Sequence, residues 1–467
     1  MKKISVNRLI YFMFIFFLPF TGVLKFEFIP ITIRSYLFQQ SSNYFMLLGL
    51  IVYILTKQMV IPKCSDLDNI VKLYVYTVIH SVVMAIILYL PLGILHNEST
   101  LHTISGNIIF YLIVVLCIYY NYVMLKEYVN INELFKIFDI QIIILLIVGY
   151  LQLLAIWVGG VFRNVYSQIV PILNLLPIEK LNRGVCFFGS EPSSASILNY
   201  IIIPYLLAKL LMKNEKKIGA LFRLLLFLPL LFSSTSSSLL ITLVLLGTAF
   251  IALFTNNKIV FRIVVISAFL IGASIAVMYG MDIFVNTSVA DEQLLKYMVF
   301  GKIIDRTNMS TMARSSTIIN DMRVFFKYPL TGVGNGIQGF FYNENMPKWA
   351  MISYEVQNWM AGKNGVVGGG GSFFCTYISS YGLIGCVAAI PVVRQFVSYI
   401  HNMQYNNEIV HKMFCMFIIM FLASCWFSMG IRDANVSFLL ALVLVYGSMG
   451  TYESKEFNDE VSNNDML

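Results

Sequence analysis

Charge is the scarcest thing in this sequence. Of its 467 residues only 12% are Asp, Glu, Lys or Arg, while 58% are hydrophobic and the mean hydropathy is +0.77. A soluble protein carries roughly twice that share of charge, so a soluble enzyme is excluded, and so is a disordered chain. Apolar and polar residues do not alternate but come in unbroken apolar runs, which argues against a β-barrel. Cysteine pairing is also missing: Cys64, Cys117, Cys186, Cys375, Cys386, Cys415 and Cys425 include no CxxC, and most lie in or beside apolar runs. Neither a disulfide framework nor a metal site is expected from them. The five histidines, His80, His96, His102, His401 and His411, all fall outside the two long connections discussed below. A histidine base or His-ligated zinc is therefore not expected in those connections, which also lack HExxH, Walker and DxD-like sequences. No small-x-small cleavage pattern follows the basic start and apolar run 9–24, so that run is expected to be retained as a first span.

What is present is a series of apolar segments. Crossing ~30 Å of hydrocarbon takes about 20 mainly apolar residues. The segments 9–24, 36–56, 70–95, 104–125, 137–158, 195–212, 218–232, 236–254, 259–279, 372–393, 413–429 and 435–450 meet or approach that length, which predicts an all-α polytopic membrane protein with about twelve spans. Ser233–Ser238 is either a short turn between two spans or a polar stripe within one long helix. With the N-terminus in the cytoplasm, the even-numbered connections carry most loop lysines, including Lys57, Lys63, Lys126, Lys136, Lys213, Lys216 and Lys217, as the positive-inside rule requires. The organisation is then a bundle over 1–279 with an outer connection at 159–194, a large outer loop over 280–371, three further spans over 372–450, and an acidic tail, 451–467, read as a solvated cytoplasmic end.

The two outer connections, about 36 and 92 residues long, keep aromatic and aliphatic residues and are where chemistry is expected. From Arg314 to Tyr328 the pattern reads as an amphipathic helix. With Arg314 at zero and ~100° per residue, Ile318, Ile319, Met322, Phe325 and Phe326 occupy about 20° to 140°, flanked by Arg323 and Lys327. Such a helix is expected to lie along the membrane, its apolar face in lipid or against the bundle, with Arg323 and Lys327 either clamping a substrate phosphate or snorkelling to the interface. Pro329 ends it. Gly334-Asn335-Gly336-Ile337-Gln338-Gly339 fits GxGxxG formally, but a helix and a proline precede it where a dinucleotide site needs a strand. Gly332 and Gly334 are instead expected to make a tight turn close to another backbone or a ligand. Gly368–Gly371 reads as a hinge or a plain linker. In the shorter connection, Glu191 stands just before a span, as a helix-dipole partner or as a general base. Arg163 and Arg183 add cations, with ordinary surface contacts as their alternative.

Taken together, Arg183-Gly184-Val185-Cys186-Phe187-Phe188-Gly189-Ser190-Glu191-Pro192, the serine-rich junction at Ser233–Ser238, Arg314…Arg323…Tyr328-Pro329-Leu330-Thr331-Gly332-Val333-Gly334 and Tyr381-Gly382-Leu383-Ile384-Gly385 resemble the O-antigen polymerase (Wzy) and O-antigen ligase superfamily. The likeness covers the whole topology, and its residue-level match is confined to these stretches. It implies a GT-C-like fold and an inverting, metal-independent glycosyltransferase in the bacterial inner membrane, without cofactor, acting at the periplasmic face. Its partners would be undecaprenyl-diphosphate-linked oligosaccharide repeat units, membrane lipids and a chain-length regulator, and not nucleic acid. Ligases of the superfamily carry a histidine roughly where Gly371 and Ser372 stand here, which favours the polymerase. In this reading Arg314 and Arg323 hold the diphosphate, with Arg163, Arg183, Arg306 and Lys327 in support. Glu191 takes the proton from the acceptor hydroxyl, Gly332 and Gly334 shape the loop, and Tyr342 stacks on sugar or anchors at the interface. A ligase is the nearer alternative. A flippase or transporter is the more distant one, and it would be expected to show mid-membrane charges and internal repeats.

Overall fold

The computed structural model describes residues 5–20, 41–57, 64–89, 100–173, 175–181, 184–189, 198, 200–212, 217–233, 237–254, 258–280, 309–346, 350–351, 353–361, 371–426 and 434–448. Among them the chain is all-helical, without a strand. In chain order the helices are α1 (Val6–Phe16), α2 (Ser42–Thr56), α3 (Asp68–Met84), α4 (Thr100–Glu127), α5 (Ile131–Trp157), α6 (Gly160–Leu173), α7 (Ile202–Leu211) and α8 (Lys217–Phe232). They continue with α9 (Ser237–Phe254), α10 (Lys258–Gly280), α11 (Met309–Lys327), α12 (Tyr354–Met360), α13 (Phe373–Asn406), α14 (Glu408–Ser424) and α15 (Ala434–Ser448). A helix falls within each of the twelve apolar segments. Three helical stretches, Ser65–Leu88, Ile131–Trp157 and Phe373–Asn406, are long and apolar enough to cross a membrane among the described residues. The chain is thus an α-helical protein of membrane character.

Polar side chains inside the bundle explain several helix ends. At the start of α5, Asn130 and Glu133 form a reciprocal capping box. α1 stops at Phe16, short of the expected 9–24, and its last carbonyls are taken up from the side: Gln141 of α5 donates Nε2 to Ile15 O (2.6 Å) and Phe16 O (3.0 Å). α13 overshoots the expected 372–393 and runs to Asn406. Its extension is tied down by Gln395 donating to Asp66 O (2.7 Å), Tyr399 to the Asp66 carboxylate (2.7 Å) and Asn406 to Tyr446 O (2.6 Å). α8 and α9 are two helices, with 234–236 of the serine-rich junction outside the described residues.

Ion pairs gather several helix ends at one end of the molecule. Arg8 pairs with Glu133, Lys57 with Glu127 (2.9 Å), and Asp139 with both Arg223 and Lys209 (3.5 Å). These bonds bring the start of α1, the ends of α2 and α4, and the start of α5 to one end of the molecule. At that end Asn7 Nδ2 also donates to Thr56 Oγ1 (3.1 Å), so α1 and α2 run antiparallel.

Candidate active site at the junction of α11 and α13

α11 is the helix that the arginine pattern marks out. Ile318, Ile319 and Met322 are buried against Cys375 and Trp426, with Phe325, Phe374 and Ile378 at the edge. Polar residues around the helix are buried as well: Ser315, Ser316, Asn320 and Asp321 are 0–5% exposed. Of the two settings expected for its apolar face, α11 takes the one against the bundle, with Phe326 left 50% exposed at the edge. The reason is that its polar face finds protein partners, which a lipid-facing or solvent-facing helix would lack. Asn320 donates to Gln338 O (2.9 Å) and accepts from Asn345 Nδ2 (2.9 Å). Thr376 Oγ1 donates to Asp321 Oδ2 (2.7 Å), and Ser316 bonds the Tyr342 hydroxyl. No cation accompanies Asp321 in this network, and burial pushes its carboxyl up to about 7 despite the Thr376 and Asn320 hydrogen bonds.

After Pro329 the chain crosses α13 at its one non-helical residue. Gly382 has φ 61° and ψ −161°, which breaks the α13 ladder and strands backbone groups on either side. The loop after α11 takes them up. Val333 N donates to Ser379 O (3.0 Å) and Gly334 N to Ser380 O (2.7 Å), while Leu383 N and Ile384 N donate to Pro329 O (2.9 Å) and Leu330 O (3.0 Å). The crossing lies about ten residues, or roughly 15 Å, along α13 from Ser372. Irregular backbone at such depth is tolerated only when enclosed by protein. Here α3 supplies the other wall: Ser81 Oγ accepts from Asn335 N (3.2 Å), one turn before a π-helical stretch at Ala85–Tyr89. Gln338 Oε1 accepts from Gly336 N (2.8 Å), closing the turn.

The expected site residues divide in three. Arg323 and Lys327 share a face of α11 at i and i+4 and are brought together. Arg323 donates to Asn345 O (2.7 Å), and Lys327 sits 3.7 Å from Glu344 and over the Phe341 ring (5.2 Å). Gly332 and Gly334, with φ 64° and 91°, are in the crossing itself. Arg314 is exposed, nine residues from Arg323, hence about 13 Å along the axis and half a turn round the helix. One diphosphate does not fit both from a single side. Tyr342 is 1% exposed and stacks edge-on with Trp359 (5.9 Å), so neither ring face nor hydroxyl is presented to solvent. Arg163 is exposed on α6 in the other connection. Arg183, Glu191 and Arg306 lie outside the described residues. The turn 184–189 just before Glu191 is described: Gln152 of α5 accepts from Cys186 N (3.0 Å) and Phe187 N (2.8 Å) and donates to Phe187 O (2.8 Å).

Sequence reasoning missed four contributors: Asp321, Ser81, Gln152 and His80. Three sit in or near apolar runs, where a single polar residue is easily passed over. His80 lies in α3, outside both outer connections, yet its ring is beside the Thr331 backbone and edge-on to Tyr381 (5.4 Å). Asp321 carried a signal, an acid two residues from Arg323 on a helix otherwise basic in its outward charges. Among the described residues no group of three or more His, Cys, Asp or Glu is placed to hold a metal ion. The chain matches no protein-family model and no curated protein sequence.

Proposed function

We propose that this chain is a polymerase of surface-polysaccharide repeat units, an inverting membrane glycosyltransferase of about twelve spans. It would transfer the growing polyprenyl-diphosphate-linked glycan onto the next lipid-linked unit at the periplasmic face of the bacterial inner membrane. The observation that carries this reading is the convergence of two stretches quoted for the resemblance. Pro329–Gly334 and Tyr381–Gly385 are some fifty residues apart in sequence and form one backbone crossing, directly after the helix that bears the arginines.

The chemistry asks for stabilisation of a diphosphate leaving group as its C–O bond breaks, and for a base on the acceptor hydroxyl. Preorganised guanidinium groups suit the first task, because a planar fork holds phosphate oxygens bidentately and stays charged. Arg323, oriented by the Asn345 carbonyl, and Lys327 form one anion contact. Arg314 forms a second contact further along α11, which suits a reaction that handles two diphosphate-bearing lipids. Glu191 is the proposed base, on a segment whose approach is fixed by Gln152. No metal is asked for in this scheme.

Deleting the gene and resolving the surface polysaccharide on a gel tests the proposal. A single-repeat product is expected. Unpolymerised lipid-linked units held inside would indicate a flippase instead, and free polymer not joined to its lipid acceptor would indicate a ligase.

A further inference from the structure

A second amphipathic helix lies in the shorter outer connection. α6 follows α5 through Gly159 and Gly160, both in the left-handed region at φ 71° and 52°, so the chain turns sharply with no linker. With Tyr166 at zero and ~100° per residue, Val161, Val165, Ile169, Phe162, Leu173 and Val170 fill the arc from about 220° through zero to 40°. Arg163, Ser167, Asn164 and Gln168 fill the arc from about 60° to 200°. One edge of the apolar arc is used by the protein. Tyr166 is fully buried and donates its hydroxyl to Leu176 O (2.6 Å), and Gln152 Nε2 reaches that hydroxyl (3.3 Å). The other edge faces outward: Val161 is 73% and Val165 40% exposed.

α5, which leads directly into α6, has exposed apolar residues of its own. Ile140, Ile143 and Ile147 are 50–63% exposed on a helix of spanning length, and Trp157 (77%) and Val158 (63%) are exposed at its end. Residues exposed along a spanning helix face hydrocarbon, and a tryptophan at its end marks the boundary with water. α6 carries no acid, and its single cation, Arg163, falls about half a turn from the Val161–Val165 edge, on the polar side of the helix.

We infer that α6 is seated in the membrane interface at the C-terminal end of α5, with Val161 and Val165 in contact with lipid and Arg163 and Ser167, on the far side of the helix, facing water. The helix then fixes the turn 184–189 at the membrane surface through the shared Gln152, Tyr166 and Leu176 contacts.

Spin labels test this in nanodiscs of phosphatidylethanolamine and phosphatidylglycerol. They are placed by Val161→Cys, Val165→Cys, Arg163→Cys and Ser167→Cys in a chain whose partly exposed Cys64 and Cys386 are replaced by serine. The ratio of collision with oxygen to collision with a water-soluble nickel chelate should be several-fold higher at 161 and 165 than at 163 and 167. Equal nickel access at all four positions would place α6 in solvent and overturn the inference. Low access to both probes at 161 and 165, with spin–spin broadening, would show a second copy covering this edge and would overturn it equally. Brominated lipids provide an independent reading on chains without labels. They should quench the unsubstituted chain more than Trp157→Phe, and identical quenching of the two counts against the proposed seat.

Discussion

Gly332 and Gly382 stand back to back where the loop after α11 crosses α13. A β-carbon on Gly332 would come within 2.5 Å of the Ser380 carbonyl carbon, and one on Gly382 within 2.3 Å of Leu330 O. Both residues have positive φ, 64° and 61°, so each position refuses a side chain for two reasons at once. The crossing needs two glycines because the backbones themselves are in contact.

Substituting either one should therefore be severe. Gly382→Ala is expected to lose about 1–2 kcal/mol from the left-handed conformation alone, and more from the clash with Leu330 O. Thermal unfolding in detergent should show a clear drop, with chain extension lost in cells. Gly219→Ala is the control: an added β-carbon meets nothing within 4 Å there, and the residue is exposed in α8. It should leave stability unchanged or slightly raised.

Asp321 gives the molecule a pH-dependent stability of defined sign. Its carboxyl is fully buried and titrates near 7, above its ordinary value of 3.8. Between those values the folded state holds a proton that the unfolded state has released, so stability falls as pH rises from about 4 to about 7. Three units correspond to roughly 4 kcal/mol as an upper figure. Asp321→Asn keeps an acceptor for Thr376 and removes the ionisation. Its unfolding midpoint should vary less over this range and exceed that of the unsubstituted chain at pH 8. A variant that reproduces the original pH profile would show that another group is responsible.

For the proposed reaction, Arg323→Ala and Glu191→Gln should abolish chain extension at normal protein level. Arg323→Lys should not restore it, since a point charge lacks the bidentate fork. Lys327→Ala, which removes an exposed lysine paired with an exposed glutamate, should reduce extension without abolishing it. Full-length polymer from both the Arg323 and the Glu191 variants would sink the assignment of these two residues.

Gln152 offers a separate test in the other connection. Gln152→Leu keeps the volume but leaves the amide groups of Cys186 and Phe187 and the Phe187 carbonyl without their partner. Each buried unpaired group costs about 1–3 kcal/mol. Hydrogen exchange should speed up across 184–189 while α5 itself stays protected, and Gln152→Glu should fall between the two because it keeps only the acceptor.

The helical class and the positions of the apolar segments followed from composition and run length, since the demand for apolar residues in lipid acts on each segment separately. A short-range signal was readable too. Pro329 ending α11 acts within two residues of the helix end at Lys327. The ion pairs Arg8–Glu133 and Lys57–Glu127 are made by residues close to the ends of their own helices and gather those ends together. Two points concern partners distant in sequence. The amphipathic pattern of α11 left open whether its apolar face meets lipid or the bundle, and does not say that its polar residues meet Asn345, Gln338 and Thr376. The wheel put Arg314 and Arg323 on opposite flanks, and the helix also separates them by about 13 Å along its axis.

By itself, then, the sequence determined which stretches are helical and apolar, and it pointed to a tight turn at Gly332 and Gly334. Only the tertiary structure decided what those glycines face. It alone shows that the break in α13 is closed by the loop after α11, that Asp321 is buried with Thr376 as its hydrogen-bond partner, and that Val161 and Val165 of α6 face outward. The physical reason is that hydrogen bonding and burial between segments depend on which surfaces meet, and a linear pattern records only the surface each segment brings.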